Sequence, residues 1–277
     1  GATWTKRATS GSWVQEVVQK GNSDTLFAIS GDSLFMSADF GDNWNVRNLD
    51  PVASSNYLKG RIAISPSNTN VIYATWIINL AGNYSQSEIF KSVNGGSTFV
   101  KTYSSSSLPA LSSYDGTVNG GGYGWANYAI VVDPTNSNTV YTGAHLFFKS
   151  TDGAQSFSST ISGWWCCIHT DIQDIIFDPT NNTRILAATD GGIFVSSNQG
   201  VAWQPSSNGL NCSQYYSFGQ GHVDSNFVVG GLQDNGIMYL NTDNNIHTYA
   251  GGDYNRFTLC DYFNPHNVYT SSSGGKV

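Results

Sequence analysis

Four aspartates and one histidine could do chemistry here. His169 and Asp171 share the run Ile168-His169-Thr170-Asp171, and Asp190 opens Asp190-Gly191-Gly192. Asp234 sits in Gly230-Gly231-Leu232-Gln233-Asp234-Asn235-Gly236, and Asp253 closes Gly251-Gly252-Asp253. Converging carboxyl groups can divide acid and base work when their surroundings push their proton affinities apart. No cofactor is expected. Calcium is the one metal the four aspartates would suit, although no continuous Asp-x-Asp-x-Asp-Gly loop is present. Zinc is disfavoured, because no second histidine or cysteine stands at ligand spacing on the same loop. The plainer alternative is that Asp-Gly-Gly and Gln-Asp-Asn-Gly are tight turns whose Asp binds backbone amides, with His169 a structural residue.

Two repeats supply the elements that must position these residues. The first reads Ser-x-Asp/Asn-x-Gly-x-x-Trp/Phe: Ser37, Asp39, Gly41 and Trp44; Ser92, Asn94, Gly96 and Phe99; Ser196, Asn198, Gly200 and Trp203. A copy at Ser150, Asp152 and Phe157 has Ala154 in place of the glycine, and residues 1–4 read as the end of a fifth. Ser and Asx side chains bind the amides of a tight turn, Gly takes a positive φ, and the aromatic ring buries itself beside it. The second repeat is an Asn-rich turn, often with Pro, at residues 65–73, 133–141, 178–186 and 264–269, with looser copies at 21–27 and 222–229. Each feeds a β-branched, strand-like run.

The first repeat resembles the Asp-box, or BNR repeat, of sialidase-like, xyloglucanase-like and sortilin-like β-propellers. That resemblance implies an all-β fold, a propeller of four-stranded antiparallel blades with Asp-box turns; a lone sandwich or β-helix is the competitor. Interleaving the repeats draws blades at 12–47, 60–103, 128–161, 171–204 and 215–250, and a sixth beginning at 256. The expectation is one propeller over 1–277, with six blades visible and seven or more in a longer chain of which this is a fragment. Residues 76–87 read as an insertion that lengthens the loop between the second and third strands of the second blade, and 102–127 as a long Ser/Gly-rich connection into the third.

Composition narrows the partners. Of 277 residues only 11% are charged, the net charge is −7, and there is no Lys/Arg run, so no electrostatic footprint for nucleic acid is present. No apolar run is long enough to span a membrane. A low-charge surface rich in Asn, Ser and Tyr resembles that of secreted bacterial proteins and sets the expectation of an extracellular or cell-surface location, within a larger secreted or surface assembly. A disulfide from Cys212 to Cys166 or Cys167 is weighed against buried thiols.

Strand direction alternates in such blades, so both repeats crowd one face, and the irregular loops carrying the aspartates gather on the other. Asp171 and Asp253 enter inner strands there, as do Gln214, Tyr216 and Arg256. The ordered series from Ile168 to Asp253 is similar to secreted bacterial BNR/sortilin-like propellers labelled glycosyl hydrolases. Their pattern is His-x-Asp-x-His, Asn-Asp-Gly-Gly, Gln-Phe-Tyr, Gly-Gly-x-Gln-Asp-Asn-Gly and Gly-Gly-Asp-Gly. This chain departs at Gln173, where the second histidine would stand, and at Tyr254.

Two functions follow as expectations. The favoured one is a face that binds a glycan or an extracellular protein through His169, Gln214, Tyr216, Gln233 and Arg256, with Trp125, Trp164 and Trp165 stacking on sugar rings. The alternative is glycoside hydrolysis by paired aspartates drawn from Asp171, Asp253, Asp190 and Asp234. The departures at Gln173 and Tyr254 tilt the reading toward binding.

Overall fold

The computed structural model describes residues 13–47, 49, 57–80, 84–104, 109–113, 127–159, 167–210, 213–233, 236–240, 246–250, 257–264 and 267–271. Among them every regular element is a strand. Contacts divide the chain into one unit over 1–208 and another over 209–277.

The first unit holds four antiparallel sheets, each hydrogen-bonded in chain order. The first comprises β1 (Val14–Gln19), β2 (Leu26–Ser30), β3 (Ser33–Ser37) and β4 (Asn45–Arg47). The second comprises β5 (Tyr57–Ile64), β6 (Ile72–Leu80), β7 (Tyr84–Ser92) and β8 (Val100–Tyr103). The third comprises β9 (Ala129–Val132), β10 (Val140–Gly143), β11 (Phe147–Ser150) and β12 (Ser158–Ser159). The fourth comprises β13 (Ile172–Asp178), β14 (Asn181–Thr189), β15 (Gly192–Ser196) and β16 (Gln204–Pro205). Their first strands lie side by side in order, β1 against β5, β5 against β9 and β9 against β13. These bounds follow the blades drawn from the repeats.

Apolar layers between successive sheets hold the unit together. Phe27, Ile29 and Leu34 of the first sheet meet Ile72, Trp76 and Phe90 of the second. Tyr73 and Ile89 meet Val132, Val140 and Phe148 of the third, and Tyr141 and Phe147 meet Ile175, Ile185 and Trp203 of the fourth. Burying such side chains contributes about 1.5–3 kcal/mol each.

One expectation is corrected. Residues 76–80 and 84–87 are not loop, because Trp76 to Leu80 extend β6 and Tyr84 onward extend β7. Trp76, Ile77 and Ile78 are buried, and a β-branched, aromatic run that finds burial on both faces continues as a strand.

The two repeated turns close on one another in every sheet of this unit. Phe40 N–H donates to Asp24 O (2.9 Å), Gly95 to Asn70 O (2.9 Å), Gly153 to Asn138 O (2.8 Å) and Gln199 to Thr183 O (3.0 Å). Both turns therefore occupy one face.

Within each Ser/Asx turn the bonding also recurs. The Ser Oγ accepts the amide four residues on, from Gly41 (2.8 Å), Gly96 (2.9 Å), Ala154 (3.0 Å) and Gly200 (2.8 Å). Those residues all have positive φ, including Ala154 at 64°. Around Asp152, desolvation pushes the carboxyl up, but hydrogen bonds from Ser156, Ser150 and Gln155 outweigh it and bring it down to about 2.

The second unit contains a four-stranded sheet of β17 (Tyr215–Gln220), β18 (Val228–Leu232), β19 (Gly236–Leu240) and β20 (Ile246–Ala250), and a pair, β21 (Phe257–Cys260) with β22 (Val268–Ser271). Its core packs Phe227, Val229 and Ile237 against the buried thiol Cys260. Cys166 and Cys212 lie outside the described residues.

Candidate functional site

On the first unit's other face, the third and fourth sheets meet through polar side chains. β13 is entered through Asp171, whose φ of 62° is uncommon for a residue with a Cβ and needs its surroundings to hold it. Ile172 N–H donates to Ala144 O (2.6 Å), which ties this entry to the short link between β10 and β11. Asp171 Oδ1 accepts from Asn127 Nδ2 (2.8 Å) and lies 3.1 Å from Nδ1 of the buried His145. Its Oδ2 accepts from Thr170 Oγ1 (3.3 Å).

Partial burial raises the Asp171 carboxyl, but the hydrogen bond and attraction of His145, with the bonds from Asn127 and Thr170, prevail and hold it below its ordinary value. It is ionised and acts only as an acceptor near neutral pH.

The chain of bonds continues. Asn127 Oδ1 accepts from Gln173 Nε2 (2.6 Å), and the same Nε2 donates to Asp190 Oδ1 (2.8 Å). Two primary amides thus join two of the four candidate carboxylates, Asp171 and Asp190. Gln173 and Asp190 are exposed, whereas Asn127 is buried. His169 is exposed beside this row, with Nδ1 3.0 Å from Thr170 O. Its ring lies over bare Gly191, where a Cβ would come 2.4 Å from His169 Cδ2.

Such a row offers two amides flanked by fixed carboxylate acceptors, a surface suited to a ligand bearing hydroxyl groups. It does not offer Asp171 as a proton donor. Among the described residues no three His, Cys, Asp or Glu side chains are arranged to hold a metal. Asp234 and Asp253, which the calcium expectation also needs, lie outside the described residues.

The second unit contains the remaining described candidates. Tyr216 is exposed and its hydroxyl donates to Gln233 Oε1 (2.9 Å), while Gln214 O accepts from Gln233 N–H (3.0 Å). Arg256, Trp125, Trp164 and Trp165 lie outside the described residues. Reading the sequence missed Asn127 and His145. The only signal for Asn127 was its position beside the long connection before β9, and His145 had none.

No family model and no curated protein matches the chain. Solved structures do. The GH74 enzyme of Niastella koreensis is 18% identical, with a TM-score of 0.53 over 95% of this chain and 41% of that one. The GH74 xyloglucanase of Xanthomonas campestris is 16% identical, with a TM-score of 0.54 over 99% of this chain and 46% of that one. YCF48 bound to D1 peptide is 10% identical, with a TM-score of 0.51 over 96% of this chain and 78% of that one. The chain spans less than half the length of the two GH74 chains. With the four-stranded antiparallel sheets, these likenesses give the fold: an all-β propeller.

Proposed function

We propose that this propeller binds a glycan on the face opposite its repeated turns, at the row Asp171, Asn127, Gln173 and Asp190, in an extracellular setting. The observation that carries the reading is the two-amide bridge between Asp171 and Asp190. A sugar presents hydroxyl groups that both donate and accept, and side chains held by one another lose little freedom on binding it. His145 and Asn127 orient Asp171, Gln173 orients Asp190, and the exposed His169 extends the row.

Propellers serve many ends, so the fold alone does not select this one. Two of the similar structures are GH74 enzymes, one a xyloglucanase, and the third is a propeller bound to a peptide. Both ligand classes therefore belong in a binding screen. Glycoside hydrolysis is the second reading, favoured by two carboxylates sharing one bonded row. It requires a protonated donor, and the depressed Asp171 is not that group, which leaves Asp190 or a residue elsewhere.

A glycan array and a hydrolysis screen on the intact chain, with Asp171→Asn and Asp190→Ala beside it, test the proposal. The expected result is retention of a neutral glycan that falls about tenfold or more in either variant, without turnover. Retention unchanged in both variants removes the site, and wild-type turnover lost in Asp190→Ala replaces binding with hydrolysis.

A further inference from the structure

The unit over 209–277 carries a surface that neither its turns nor the proposed site requires. β21 and β22 are joined by a turn bonded like its counterpart in the third sheet. Asp261 Oδ1 accepts the amides of Phe263 (2.9 Å) and Asn264 (3.0 Å), as Asp133 Oδ1 accepts those of Thr135 (2.7 Å) and Asn136 (3.2 Å). Asp261 N–H donates to Asn267 O and Asn267 N–H to Asn264 O (both 2.9 Å); the equivalent bonds join Asp133 to Thr139 O (2.9 Å) and Thr139 to Asn136 O (3.0 Å). The bonds the two turns share run from backbone amides to the Asp carboxylate and carbonyls; Thr135 and Thr180 add a hydroxyl bond to that carboxylate (2.7 Å each), which Phe263 gives up. Where the third and fourth sheets have Pro134-Thr135 and Pro179-Thr180, this turn has Tyr262 and Phe263.

Both rings face solvent, Tyr262 at 62% and Phe263 at 87% exposure. Tyr262 lies against His222 of the turn between β17 and β18, with centroids 4.4 Å apart, and meets Phe263 edge-on at 5.1 Å. Val223 extends the strip at 72% exposure. A further sheet packed on β21 and β22 would not cover it by necessity. Ser67 and Thr135 occupy the position of Phe263 in sheets with a neighbour on each side, and both are exposed.

We propose that His222, Tyr262 and Phe263 form a stacking platform for an uncharged pyranose ring, a glycan site distinct from the Asp171–Asp190 row. A pyranose offers apolar C–H faces to aromatic rings, while the Tyr262 hydroxyl and the His222 imidazole supply groups for its hydroxyls; Asp261 is taken up by the amides of Phe263 and Asn264 and by the Tyr269 hydroxyl. Charge argues the same way. Among the described residues of this unit there is no Lys or Arg to pair with a sulfated glycan, a nucleic acid or an anionic lipid; Arg256 and Lys276 lie outside them. Size argues against a lasting protein contact, which takes about 20–30 residues a side, whereas four side chains match one or two sugar rings.

The test is affinity electrophoresis of the intact chain through gels containing xyloglucan, dextran or chondroitin sulfate, preceded by a neutral glycan array. The variant is Tyr262→Pro with Phe263→Thr, which rebuilds the Asp-Pro-Thr-Asn turn already present twice in this fold. For at least one neutral glycan other than the ligand of the Asp171–Asp190 row, retardation is expected to survive Asp190→Ala and to weaken about tenfold or more in the double variant, with a thermal midpoint no lower than that of wild type. Equal retardation of wild type and double variant, retardation by chondroitin sulfate alone, or no neutral glycan bound at all would each overturn the platform. Loss in Asp190→Ala with none in the double variant would overturn it too, while leaving the first site standing.

Discussion

The two faces of the first unit are made by opposite means. On the turn face each sheet repeats one set of short-range bonds: a Ser hydroxyl, an Asp or Asn, a positive φ, and an amide tied to the neighbouring turn. Neighbouring sheets are stapled there by Lys20 to Asn70 (3.2 Å) and Lys91 to Asn138 (2.7 Å). On the loop face no such set recurs among the described residues, and the bonds of Asp171 run to Asn127 and His145 of another sheet. A repeated, locally satisfied turn serves folding and can be copied. A polar row assembled from distant residues is not explained in that way, and that asymmetry supports the proposal that the row binds a ligand.

The largest expected effect lies on the turn face. Gly96 has φ 86°, and a Cβ there would approach Phe27 Cζ to 2.4 Å, against the core between the first two sheets. Gly96→Val should cost about 3 kcal/mol or more in urea denaturation, and a variant as stable as wild type would contradict the role given to that turn. Next comes Asn127→Leu, which removes one partner from Asp171 and another from Gln173 at a buried position. It should cost roughly 1–3 kcal/mol and abolish ligand retention together; a loss of stability with intact retention would detach the row from binding. Ser92→Ala should cost about 1 kcal/mol and Ser150→Ala about 1.5 kcal/mol or more, since the Ser150 hydroxyl donates to the ionised Asp152 and that of Ser92 to the neutral Asn94 amide. A larger cost at Ser92 would contradict that reading of the turns.

The smallest effect is one of pH. Because the Asp171 carboxyl is depressed in the fold, its contribution is fully present above the ordinary value of 3.8 and is lost as pH falls through the lowered one. The gap in thermal midpoint between wild type and Asp171→Asn should therefore hold steady at neutral pH and shrink in acid. A gap that grows in acid would reverse the sign of the argument.

The same asymmetry explains what could be read from the residues alone. Ser92-x-Asn94-x-Gly96 states its own turn within five residues, so four copies of such turns, interleaved with the Asn-rich ones, laid out the sheets to within a few positions. The run from Trp76 was misread as a loop because the burial that makes it a strand comes from neighbouring sheets, which no local pattern announces. At the site, Asp171 and Asp190 were legible from residue type and setting. Their partners were not, since Asn127 and His145 stand 44 and 26 positions from Asp171 and belong to ordinary-looking stretches. Gln173 was read as the loss of a histidine, whereas its amide holds the centre of the row.

Hydrogen–deuterium exchange of the intact chain, with and without a saturating neutral glycan taken from the array, tests the central claim most directly. The account predicts slowed exchange at residues 127–128, 144–146, 167–173 and 189–192, and none at the turns over 92–99, 150–157 and 196–203. Protection confined to those turns, with the first set unchanged, would contradict it.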